Sequence, residues 1–197
     1  MTALALSNVV LWLLVIALSV VVLALTRQLG VLHERIAPAG ALMINRGPAV
    51  GEKVSALDVV DLDGQGRRIG DARSDGKSTL ILFVSPTCPV CKALLPVVKS
   101  SREQERDWLE VLLASDGDPL EHRRFVAEHQ LQALPYLLSS ALGLNYQVNR
   151  LPFAALLDQG GVLRARGLVN SREHLESLFE AQRLGVASLQ EYFSSKG

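Results

Sequence analysis

The chain has 197 residues, which is room for one domain of ordinary size and an appendage. Its 20 basic and 20 acidic side chains cancel, so no net field gathers nucleic acid or acidic substrates. Hydrophobic residues make up 49%, slightly more than a soluble domain needs, and the surplus is concentrated at one end.

No charged residue occurs before Arg27. As a helix rising about 1.5 Å per residue, a run of that length exceeds the roughly 30 Å hydrocarbon core of a bilayer. It predicts one membrane anchor over residues 1–27. A cleaved signal peptide would want a basic start and a shorter apolar centre, and a buried core helix is rarely so uniformly apolar. Arg27, Arg35 and Arg46 all follow the run. By the positive-inside rule they would hold the domain in the cytoplasm, yet a large domain translocates regardless of flanking charge, so the residues leave orientation open. Residues 28–47 read as stalk and linker: QLGVLHERI continues the helix, then Pro38, Gly40, Gly47 and Pro48 loosen it.

Residues 48–185 alternate strand and helix patterns. VSALDVVDLDGQGRRI predicts two short strands joined at Asp63-Gly64-Gln65-Gly66. STLILFVS (78–85) is continuously apolar, as a strand covered on both faces must be. The next segment has apolar residues at helical spacing, with Pro89 tolerated in its first turn and Pro96 deep enough to kink it. LEVLLAS predicts a second buried strand. DPLEHRRFVAEHQL predicts a helix capped by Asp118 with Pro119 at its start. ALPYLLSS, ALGLNYQV and FAALLD read as strand, short helix and strand. A turn at Asp158-Gln159-Gly160-Gly161 then leads into VLRARGLV, whose alternation suits a strand near a sheet edge. SREHLESLFEAQRLG predicts a closing helix with Ser171 as cap, and residues 186–197 a flexible tail. The class is α/β.

The two cysteines stand together, in Pro86-Thr87-Cys88-Pro89-Val90-Cys91, between a buried strand and a helix. At the helix N-terminus free N–H groups and the helix dipole favour an anion, so the Cys88 thiolate is stabilised there. Cys91, nearly one turn deeper, can resolve a mixed disulfide made by Cys88. Lys92 adds positive charge beside them. A zinc site needs about four ligands, and His33, His122, His129 and His174 form no spacing with the pair; each reads as an ordinary surface or helix histidine. Three rivals stay open. Peroxidase chemistry would have Ser85 imitate a threonine. A copper chaperone would use the soft thiolates. A non-redox assembly factor would leave the thiols incidental.

ILFVSPTCPVCKALLP resembles the active-site strand and helix of the thioredoxin superfamily, and NRLPFAALLDQGGVL resembles its second landmark. The resemblance implies a thioredoxin-like fold, a central mixed sheet with flanking helices, here with an N-terminal hairpin extension. It implies Cys88 as nucleophile, Cys91 as resolving thiol, Pro152 as a cis proline opposite them, and Leu151 as the residue offering its backbone to a client strand. Thr87, Pro89 and Val90 support the pair, and no metal or cofactor is implied. Two departures stand out: Leu82 replaces a buried acid, and Thr87 replaces an aromatic residue.

The opening hairpin (VSALDVVDLDGQGRRIG) and the long Cys91-to-Pro152 interval are similar to the membrane-tethered, extracytoplasmic branch of that superfamily. The anchor, PTCPVC and the LPF segment together resemble the accessory factors of methylamine dehydrogenase in methylotrophic bacteria. That likeness implies a periplasmic domain, thiol–disulfide exchange with a cysteine-bearing client (the disulfide-rich small subunit), and an upstream redox partner that no residue identifies.

Overall fold

The computed structural model describes residues 6–8, 10–22 and 47–184. It divides into two compact units, Met1–Ile44 and Asn45–Gly197. In the first, residues 6–8 and 10–22 are helical (α1), and Leu11, Leu14, Ile16 and Leu18 are exposed. Among the described residues no helix is long and apolar enough to cross a membrane. The expected anchor extends beyond them at both ends, and the expected stalk and linker (28–47), all but Gly47, and the tail (186–197) lie outside them.

The second unit carries a two-stranded hairpin and a five-stranded sheet. The hairpin pairs β1 (Leu57–Val60) with β2 (Gly66–Ile69) around the expected turn. The sheet contains β3 (Ser78–Phe83), β4 (Leu109–Ser115), β5 (Tyr136–Leu138), β6 (Phe153–Leu157) and β7 (Leu163–Leu168), in the order β5-β4-β3-β6-β7. The strands β3, β4 and β5 run parallel, while β6 and β7 are antiparallel to their neighbours. The hairpin is the one the sequence predicts, and the mixed sheet the one the resemblance implies.

Successive residues of a strand point to opposite faces, so the continuously apolar β3 feeds two cores. Leu80, Leu82 and Val84 enter one cluster, Ile81 and Phe83 the other. The first is closed by α2 (Pro89–Gln104), α3 (Pro119–Glu128) and α5 (Arg172–Leu184). In α2 the buried residues Cys91, Leu94, Leu95 and Val98 follow the i, i+3, i+4, i+7 spacing of one helix face. Each such leucine or valine contributes roughly 1.5–3 kcal/mol by leaving water. Pro96 lies inside α2, which continues past it to Gln104. The second cluster is closed by the hairpin (Val59, Ile69) and by α4 (Ser140–Asn145), whose Leu142 packs there beside Tyr146.

Local signals set the helix starts. Asp118 accepts from the N–H of Leu120 at 3.1 Å and Ser139 from that of Leu142 at 3.2 Å. Ser171 accepts from His174 at 3.4 Å, the cap expected from its position. Helix α3 ends earlier than its apolar pattern suggests, because Gln130 takes a positive φ of 53° and turns the chain. Strand β5 keeps only three residues of ALPYLLSS, since Ser139 is already the cap of α4.

Candidate redox site

The segment Val84–Cys91 leaves the central strand and enters α2. Cys88 is the N-cap, in extended conformation, and its Sγ accepts from the N–H of Cys91 at 3.1 Å. Before it, the Cys88 N–H donates to the Ser85 carbonyl at 3.1 Å, and the hydroxyls of Ser85 and Thr87 lie 2.9 Å apart. Cys88 and Cys91 are joined in a disulfide with their Cα atoms 5.2 Å apart. The two sulfurs differ in access: Cys91 is fully buried, whereas Cys88 is half-buried. Pro89 and Val90 are exposed beside it, Val90 at 45%.

The pairing of Phe83 with Phe153 brings the loop before β6 to the same edge of the sheet. The Leu151–Pro152 peptide bond is cis, as the resemblance implies. Pro152 is buried, and its carbonyl accepts from Val169 at 3.0 Å. Leu151 is exposed, and no described residue engages its N–H or C=O. Leu82, where a thioredoxin carries a buried acid, is completely buried in the apolar core.

Of the described histidines, His122 departs from the ordinary role expected of it. His122 is on a helix but only 1% exposed. Its Nε2 lies 2.8 Å from the Asp116 carbonyl, which can only accept, so Nε2 carries the proton. Its Nδ1 therefore accepts from the Tyr136 hydroxyl at 2.9 Å. Burial pushes the Tyr136 phenol up to about 12, with the neighbouring Ser115 hydroxyl acting the other way. Ser115 in turn donates to the Val84 carbonyl at 2.8 Å. This buried chain ties α3, β5 and β4 to the strand that carries the cysteines. Helical spacing hides it, because the partners of His122, Asp116 and Tyr136, both lie outside α3. His129 caps α3 and packs on Phe125, His174 is exposed, and His33 lies outside the described residues. Among the described residues no group of three or more His, Cys, Asp or Glu could hold a metal ion.

A Cys-x-x-Cys disulfide at the start of a helix, on a mixed β5-β4-β3-β6-β7 sheet with a cis proline before the fourth strand of that order, defines a thioredoxin-like domain. Solved structures share the fold. A disulfide isomerase-like protein of Bacteroides thetaiotaomicron is 16% identical with a TM-score of 0.59, covering 70% of this chain and 88% of that one. The exposed lipoprotein thioredoxin Etrx1 of Streptococcus pneumoniae is 21% identical with a TM-score of 0.55, covering 64% and 99%.

No protein-family model matches the chain. Full-length relatives are nonetheless specific. The methylamine utilization protein MauD of Paracoccus denitrificans is 45% identical over 190 residues, 96% of this chain and 94% of the relative. MauD of Methylorubrum extorquens is 45% identical over 190 residues, and that of Paracoccus versutus 43% over 196. The chain belongs to the MauD family.

Proposed function

We propose that this protein is a membrane-anchored thiol–disulfide oxidoreductase of methylamine utilization, acting on the cysteines of the methylamine dehydrogenase small subunit in the periplasm. The observation that carries the reading is the unequal disulfide: a half-buried Cys88 at the helix N-terminus over a fully buried Cys91. The family membership points to methylamine utilization. The exposed apolar face of α1 and the uncharged run before Arg27 support the anchor.

The steps follow from access. A client thiolate attacks the Sγ of Cys88, the Cys88–Cys91 bond breaks, and Cys91 leaves with its electron pair. A second client thiolate then attacks the client sulfur of the mixed disulfide, and Cys88 leaves as a thiolate stabilised by the N–H groups of α2. The client is oxidised by two electrons and the pair is reduced. Run backwards, the same steps reduce or isomerise a client disulfide. Leu151 holds the client backbone as an added strand, Pro152 forms the wall behind it, and Thr87, Pro89 and Val90 line the approach to Cys88.

Trapping tests this. Cys91→Ala removes the resolving thiol, so a mixed disulfide between Cys88 and the small subunit should accumulate in cells and be released by reductant. Recovery of no Cys88-linked partner from cells making the dehydrogenase would overturn the reading. A reporter fused after Gly197 should be active only if it functions outside the cytoplasm.

A further inference from the structure

Beside Leu151, at the edge where β3 and β4 end, lies a pocket of about 200 Å³. Phe83, Ala114 and Val148 give it apolar walls, and Ser115, Asp116 and Arg150 stand among its polar lining. The Asp116 carboxylate has neither an ion pair nor a hydrogen bond among the described residues. Its backbone, in contrast, is held, because the buried His122 donates to its carbonyl at 2.8 Å and is itself held by Tyr136 at 2.9 Å. Gly117 follows with a φ of +113°, which fixes the turn that presents Asp116.

Asp116 is exposed, so its carboxylate is hydrated in the free protein. At the rim of apolar walls, without a partner among the described residues, it can pair with an incoming cation. We propose that this pocket receives a long cationic side chain, lysine or arginine, carried by the client within two residues of the cysteine that reacts with Cys88, and that Asp116 reads its charge. The inference rests on the thiol–disulfide reading above. A client strand on the free backbone of Leu151 brings the neighbouring side chains over the pocket. The methylene stem then lies along Phe83 and Val148 while the charged head reaches Asp116. An acidic side chain would meet like charge. An aliphatic one would cover the carboxylate without pairing it. Both side chains are exposed; the Arg150 stem is long enough to turn away into solvent, whereas the short Asp116 side chain stays near a backbone that His122 holds.

The test uses the reduced full-length Cys91→Ala chain and short peptides whose one cysteine carries thionitrobenzoate as a disulfide. Cys88 attacks the peptide sulfur, a new disulfide forms, and the coloured thionitrobenzoate leaves with the electron pair. Lysine, glutamine or glutamate is placed at each of the two positions on either side of the cysteine. At one position the lysine peptide should react about fivefold faster than the glutamine peptide, the factor of a single partly exposed ion pair, and glutamate should be slowest. Asp116→Asn should bring the three rates together, and Asp116→Lys should make glutamate fastest. Equal rates at every position with Asp116 intact, or glutamate fastest, overturn the inference while leaving exchange at Cys88 standing. If Cys88 fails to react even with the free dithiobis-nitrobenzoate reagent, the thiol–disulfide reading itself falls.

Discussion

Where β3 and β4 begin, charges are matched: Arg73 pairs with both Asp75 and Glu110, Arg67 reaches Glu110 at 3.2 Å, and Arg164 holds Asp158 at 2.7 Å. Where the same strands end, Lys92, Asp116 and Arg150 have no ion pair among the described residues, and the backbone of Leu151 is unengaged. The first edge satisfies itself and closes the hairpin and loops onto the sheet. The second keeps hydrated charges and an unengaged backbone beside a disulfide, where a partner can reach them. Stability and chemistry are thus separated along one pair of strands about 20 Å long.

Substitutions at the two edges should therefore move different observables. The largest effect is expected from Cys88→Ser, which abolishes disulfide exchange. The serine hydroxyl can still cap α2, so the denaturant midpoint should move little. A collapse of stability would mean that this edge also supports the fold. Next comes Glu110→Ala, which leaves Arg67 and Arg73 without their shared carboxylate. It should lower stability by about 1 kcal/mol, less at high salt, with the exchange rate unchanged. Altered exchange would erase the division between the edges.

Asp158 offers a smaller, pH-dependent effect at the same edge. Burial works against its charge, but the N–H groups of Val162 and Gly160 and the Arg164 guanidinium outweigh it and lower its pKa. A depressed carboxylate contributes stability above its unfolded pKa of about 3.9 and loses it as pH falls through the folded value. Asp158→Asn should be less stable than the parent at neutral pH, and the two unfolding curves should converge in acid. A gap that persists at low pH would show that charge is not the cause. The smallest effect belongs to Tyr146→Phe. The Tyr146 hydroxyl is buried without a partner among the described residues, and burial holds its pKa far above the usual phenol value. Removing it should leave stability equal or raise it by about 1 kcal/mol in calorimetry. A loss would reveal a partner for the hydroxyl.

Much of the site could be read directly because it is local. Cys88, Cys91, Pro89 and the strand before them occupy consecutive positions, and strand, cap and helix propensities agree there. Leu151 and Pro152 needed a resemblance, since nothing in NRLPF alone indicates a cis bond or a shared edge with PTCPVC. His122 is the helix histidine the sequence suggests, but its burial is not legible there: its partners Tyr136 and Asp116 lie 14 and 6 residues away and meet it only when β5 pairs with β4. The pocket left no trace in the sequence, because its walls come from β3, β4, α4 and the segment before Leu151.

By itself the sequence determined the α/β class, the hairpin, the two-faced central strand and the order of the thiols in the chain. Those features depend on periodicity and on neighbours a few residues apart. Tertiary structure alone decided which sulfur is reachable, which histidine is buried and which carboxylate goes unpaired. Those properties depend on what packs against a group from distant parts of the chain, and it is packing that sets access, dielectric and hydrogen-bond supply.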